Sequence, residues 1–134
     1  MNSPDHMRET VIWQRVEGAL VLVAACAIFL AQDGGLIWWA ALAAFLAPDI
    51  SFAAYLLGSR IGAIGYNLLH LYGTGAALLA LGMAVGSVTF IQLGALWLAH
   101  SGFDRLLGYG LKSSNGFRHT HLGVIGVPEK RFRF

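Results

Sequence analysis

Between Gly18 and Phe103 the chain carries only three charged residues, Asp33, Asp49 and Arg60; every other charge crowds the two ends. A stretch of that length with so few charges cannot cover a water-facing surface. It is the pattern of several membrane crossings in series. Charged residues are 12% of the 134, against 57% hydrophobic, where a soluble domain is about one quarter charged. The same balance excludes intrinsic disorder. Nine Lys and Arg, scattered, are too few for a nucleic-acid surface. The single cysteine, Cys26, rules out an intramolecular disulfide. Val23-Ala24-Ala25-Cys26 has the form of a lipoprotein cleavage box. The apolar run continues past it to Leu30, however, and Glu17 precedes it, so Cys26 is read as a small apolar helix residue.

A crossing helix needs about 20 mostly apolar residues. Four stretches qualify, roughly 11–30, 36–57, 63–83 and 88–107, separated by turn-forming segments at 31–35, 58–62 and Gly86-Ser87. The expected fold is all-α: one polytopic membrane domain, a four-helix bundle with a polar tail from 108 to 134. An even count puts both termini on one side. All nine basic residues then fall on that side, since the two remaining connections hold no Lys or Arg. The positive-inside rule makes that side cytoplasmic, with Trp13 at the inner interface and Trp38 and Trp39 at the outer one. Gly73 with Ala77, and Ala76 with Ala80, are spaced to let helices approach closely. So thin a bundle also suits a homo-oligomer.

Ionisable groups inside the hydrocarbon are costly and are functional candidates by default. Here they are Glu17, Asp49, His70, His100 and Asp104, with Asn67 beside them. At 1.5 Å per residue, the first four lie about 9–12 Å from the cytoplasmic ends of their helices, and Asp104 about one turn below His100. Each helix thus delivers an acid or an imidazole to one layer. His100 and Asp104 share a helix face at four-residue spacing, and Asn67 and His70 share one at three. Pro48 kinks the second helix at Asp49. Imidazoles and carboxylates converging in a bundle form a ligand set for zinc, iron or manganese. The ligands read here are Asp49, His70, His100 and Asp104. Glu17 is read as a ligand or general base and Asn67 as an orienting group. Buried polar residues also serve as plain interhelical tethers, and Arg105 is read as snorkelling to the interface. Arg15 with Glu17, and Asp104 with Arg105, could instead pair at the membrane edge.

The tail carries His119 and His121 on one side of an extended segment, and His121 is read as closing the site from the tail. Arg131 and Arg133, alternating with Phe132 and Phe134, suit an interfacial anchor.

These residues stand in recognisable motifs. They are Arg15-x-Glu17-Gly18, Ala47-Pro48-Asp49-x-Ser51, Tyr66-Asn67-x-x-His70, Trp97-x-x-His100-x-Gly102-Phe103-Asp104-Arg105, Gly108-Tyr109-Gly110-Leu111-Lys112 and Gly116-Phe117-x-x-Thr120-His121-Leu122-Gly123. Jointly they resemble a small bacterial integral-membrane family catalogued as a domain of unknown function. The resemblance spans nearly the whole chain and implies four membrane helices, but no reaction. His119 lies outside the motif. A fainter likeness, to bacterial membrane-bound metal-dependent hydrolases, rests on a Pro-Asp paired with intramembrane histidines, in a different order.

The expected function is that of an inner-membrane metal-dependent enzyme, hydrolase-like or an oxidase, acting on a lipid-like or small hydrophobic substrate. The alternatives are a proton or metal-ion transporter, a haem protein with His70 and His100 as axial ligands, and an accessory subunit without catalysis.

Overall fold

The computed structural model describes residues 4–126; the anchor expected at Arg131, Phe132, Arg133 and Phe134 lies outside them. Five α-helices follow in order: α1 (Pro4–Leu30), α2 (Trp38–Leu46), α3 (Ser59–His70), α4 (Tyr72–Val85) and α5 (Val88–Leu107). A 3-10 helix, Ala47–Leu57, continues α2, and a two-residue hairpin, β1 (His119–Thr120) with β2 (Gly123–Val124), stands in the tail.

Two spans, Asp5–Leu30 and Trp38–Leu57, are long and apolar enough to cross a membrane. Helices α3 and α4, bent by 44°, make a third if taken together. The expected third crossing is therefore a broken one. The sequence Leu71-Tyr72 has no proline to announce the break. Leu71 leaves the helix in an extended conformation, φ −69° and ψ 139°, and side chains from α5 and from the first turn of α4 take up the freed carbonyls. Trp97 Nε1 donates to Leu69 at 2.8 Å, Arg105 to His70 at 3.5 Å, and Thr74 Oγ1 to Leu68. A backbone break away from water is stable only when its polar groups are re-satisfied in this way.

The kink expected at Pro48 is a change of helix type. Ala47 N–H already bonds back three residues, to Ala44. Pro48 then contributes no N–H, and the tighter winding persists for 11 residues, where runs beyond three or four are uncommon. The segment is held by pairing with α3: the Gly62 backbone lies against the Tyr55 ring, and Gly65 against Ala54.

The centre of the molecule is α5. Its boundaries match the sequence expectation, and nine of its residues are buried, among them Gln92, His100, Ser101 and Arg105. Those polar groups make α5 less apolar than the spans Asp5–Leu30 and Trp38–Leu57, and its neighbours shield them. Glycines set its two closest seams. Gly18 of α1 meets Gly102, and Gly75 and Gly82 of α4 meet the α5 backbone around Leu98 and Ile91, while Gly94 of α5 meets Leu79. Both helices run antiparallel to α5. The small-residue pairs expected on α4 are not the contact: Gly73, Ala76, Ala77 and Ala80 are all exposed. The buried stripe runs instead through Gly75 and Gly82.

Candidate metal centre

Three elements place the site. Asp49 directly follows Pro48 near the start of the 3-10 helix, His70 is the last residue of α3, and His100 and Asp104 stand one turn apart on α5. The break at Leu71 and the switch at Ala47 thus each deliver one donor.

The four side chains converge, with one donor atom from each lying within 4.8 Å of the others. His70 Nε2 is 3.2 Å from His100 Nε2, 3.4 Å from Asp49 Oδ1 and 3.5 Å from Asp104 Oδ2. His100 Nε2 is 3.2 Å from the same Asp49 oxygen and 3.5 Å from the same Asp104 oxygen. Four donors at the corners of a tetrahedron around a zinc-sized ion, with bonds of 2.0–2.1 Å, stand about 3.3–3.4 Å apart.

His70 is locked in one tautomer. Its Nδ1 lies 2.9 Å from the Tyr66 carbonyl, which only accepts, so Nδ1 carries the proton and the Nε2 lone pair faces the other donors. The Tyr66 ring stacks on the imidazole at 3.8 Å and 12°, and its hydroxyl donates to Asp104 Oδ2 at 3.3 Å. Phe45 packs edge-on against His100 at 5.3 Å. His100 Nδ1 is buried without a partner among the described residues. The imidazoles are almost fully buried, while the Asp104 side chain is 16% exposed and Asp49 39%. Access is therefore from the carboxylate side.

The remaining site residues read from sequence lie elsewhere. Glu17 is exposed on α1 and outside the group of four. Neighbouring Gly18 must face α5 to allow the close seam, and that turns Glu17 outward. Arg15 does not pair with it but donates to the Leu106 carbonyl at 2.8 Å, at the end of α5. Arg105 does not snorkel. It is 5% exposed, and its guanidinium bonds the carbonyls of Tyr109 and His70 and lies over the Tyr72 ring.

Asn67 and His121 both hold the tail. Asn67 Nδ2 donates to the Lys112 carbonyl at 2.8 Å and its Oδ1 accepts from the Lys112 N–H at 2.6 Å. This pairing imitates a strand contact and fastens the tail to α3. His121 Nδ1 accepts from the Leu111 N–H at 2.8 Å, closing a loop within the tail. Its ring lines a cavity of about 890 Å³ between the start of α1 and the hairpin, away from the four donors. Partial burial, reinforced by the charge of Arg105, holds its pKa below the usual histidine range.

What covers the site from the tail is Lys112 with Phe117. Phe117 packs on Phe52 and Tyr55, and the Lys112 ammonium sits over the Phe117 and Tyr66 rings. Burial lowers the Lys112 pKa, and Asp104 partly offsets that. Tyr66, Trp97, Arg105, Lys112 and Phe117 are thus parts of the site's surroundings that charge and depth did not single out. Each stands in one of the motifs quoted above.

The family model described as Domain of unknown function (DUF4260) matches residues 11–125. The chain belongs to the DUF4260 family. No curated protein and no solved structure matches it. The matched span of this DUF4260 chain contains all four converging donors and the tail residues that cover them.

The Asn67 contact yields a direct expectation. Asn67→Ala removes two backbone-directed bonds, each worth about 0.5–1.5 kcal/mol. It should release residues 108–126 to limited proteolysis in detergent, while the helical circular dichroism stays unchanged. A tail as resistant as wild type would show that the contacts of Phe117, Lys112 and Tyr109 hold it without Asn67.

Proposed function

We propose that Asp49, His70, His100 and Asp104 bind one divalent metal ion, zinc, iron or manganese, and that the protein is a membrane-embedded metal-dependent enzyme acting on a lipid-phase substrate. The observation that carries this reading is the 3.2 Å separation of two buried imidazole nitrogens, flanked by two carboxylates. Two unneutralised carboxylates are costly away from water. Protonating both imidazoles would balance them, but it would set two cations 3.2 Å apart, a repulsion of about 5 kcal/mol at an effective dielectric of 20. One divalent ion bound by two neutral imidazoles and two carboxylates gives a neutral centre with no such conflict.

The same geometry speaks against the other readings. Haem needs its axial imidazoles on opposite faces of the macrocycle, and 3.2 Å leaves no room for one. A transport path needs polar groups along its length. Towards the far end of α5 the buried polar side chain is Gln92, whose amide is engaged by the Gly34 carbonyl and the Leu36 N–H.

In this reading α5 is the fourth crossing, as its antiparallel seams with α1 and α4 favour. The positive-inside bias then places the site near the cytoplasmic leaflet of a bacterial inner membrane, with both termini cytoplasmic. A metal in such a centre supplies an activated water or polarises a substrate oxygen. The protein's own residues orient the donors, and Tyr66 holds Asp104 through its hydroxyl. Asp49, the most exposed of the four, borders the opening through which substrate enters. Hydrolysis is the favoured chemistry.

The test is a panel of ester- and phosphoester-bearing lipids incubated with detergent-purified protein. Hydrolysis of at least one, abolished by a chelator and restored by zinc, iron or manganese, is expected. Turnover that survives complete metal removal would contradict the reading.

A further inference from the structure

Lys112 is a largely buried residue whose cation has no ion-pair partner among the described residues, although the charge of Asp104 reaches it. Its side chain is carried on the tail, yet the residue is only 6% exposed. Among the described residues no carboxylate comes within ion-pair distance of it and no acceptor bonds its ammonium. Its nitrogen lies 3.8 Å from the centre of the Phe117 ring and 4.8 Å from that of Tyr66. Aromatic faces attract a cation but offer its N–H groups no strong hydrogen-bond acceptor. All three N–H donors therefore remain for an oxygen-rich partner.

The residue is also fixed in place. Asn67 holds both its backbone N–H and its carbonyl, one turn before His70 on the same face of α3. Tyr66 connects it to the centre: the ring that carries Lys112 stacks on His70, and its hydroxyl bonds Asp104. The ammonium is thus one aromatic ring away from the four donors.

We propose that Lys112 reads a phosphate group on the substrate, whose charge is shared between its ammonium and the cation held by Asp49, His70, His100 and Asp104; this rests on the metal reading above. An ammonium, and a Lewis-acidic ion set apart from it, suit an anion with more than one charge and several oxygens. Phosphate provides both, whereas a carboxylate offers one charge and two oxygens. A lysine binds phosphate as a point charge, which suits an ammonium centred on aromatic faces. The substrate class is then a phosphate-bearing molecule, either a lipid headgroup or a soluble phosphate.

The experiment uses the full chain in detergent micelles, with metal content read by elemental analysis and binding by equilibrium dialysis of labelled inorganic phosphate. Mixed micelles of phosphatidic acid, or of diacylglycerol, serve as competitors. Wild type should bind phosphate. Lys112→Met keeps the stem and the backbone bonds to Asn67, so it should keep its metal content and weaken phosphate binding at least about tenfold, the loss of a charge-assisted bond. Lys112→Arg, which keeps the charge, should retain most of the binding. Competition by phosphatidic acid but not by diacylglycerol points to a lipid headgroup. Binding of inorganic phosphate that phosphatidic acid does not compete for points to a soluble substrate. Phosphate binding that depends on Lys112 in protein that takes up no zinc, iron or manganese would uphold the lysine's role and sink the metal reading alone. Wild-type affinity in Lys112→Met, competition by diacylglycerol as strong as by phosphatidic acid, or no phosphate binding by wild type would overturn the proposal.

Discussion

Replacing either His70 or His100 by alanine is expected to empty the site of metal: content should fall from about one ion per chain to near zero. Each imidazole is one of four donors, and three donors that include two splayed carboxylates bind far more weakly than four. Losing an imidazole also leaves carboxylates facing each other in a poorly hydrated place. The two substitutions should behave alike, although the histidines differ in their second contacts: Nδ1 of His70 is fixed by the Tyr66 carbonyl and that of His100 has no partner. Asp49→Asn should be the milder change, because Asp49 is the most exposed donor and an amide oxygen still ligates. Elemental analysis of the purified variants measures all three. Each should retain its helical circular dichroism, since the helices are held at their glycine seams and not by the donors. Glu17→Gln, outside the group, should leave metal content unchanged.

The largest loss of stability is expected from Gly102→Leu. A side chain there would begin 2.7 Å from the Gly18 carbonyl oxygen and 2.8 Å from the Leu22 nitrogen. Both are backbone atoms and cannot move aside without separating α1 from α5. Overpacking of a tight contact costs about 1–3 kcal/mol and sometimes more, and here it forces two helices apart along their length. The same displacement would carry Arg15 away from the end of α5. Gly73→Ala is the control. Nothing lies within 4 Å of a Cβ at Gly73, and alanine favours a helix by about 0.5–1 kcal/mol. Thermal unfolding in detergent should show a marked drop for Gly102→Leu and no drop for Gly73→Ala. Equal destabilisation would mean that the exposed stripe of α4 is a packing face after all.

Much of this arrangement is legible in the residues themselves. Hydropathy and turn chemistry place α5 at its observed limits, because Ser87 caps its start and Gly108, at φ 91°, ends it. Depth along each helix brings Asp49, His70, His100 and Asp104 to one level, and the four-residue spacing puts the last two on one face. Depth says nothing about rotation, however, and that is where Glu17 misleads. It stands at the right height, but α1 must turn Gly18 towards α5, and the neighbouring residue, about 100° round the helix, then faces away. The break at Leu71 is hidden for another reason. No proline marks it; of the three carbonyls it frees, one is met by Thr74 just past the break and two by Trp97 and Arg105, which arrive from α5. The covering tail is hidden likewise, since Asn67 reads equally well as a ligand-orienting amide until the Lys112 backbone is found against it.

The central claim is that one ion sits among four named side chains, and X-ray absorption at the edge of the bound metal tests it most directly. The account predicts a first shell of nitrogen and oxygen donors at about 2.0–2.2 Å, with the outer-ring scattering of two imidazoles, reduced to one in any residual metal of His100→Ala. A metal shell of solvent oxygens alone, or imidazole scattering unchanged in both His70→Ala and His100→Ala, would contradict it.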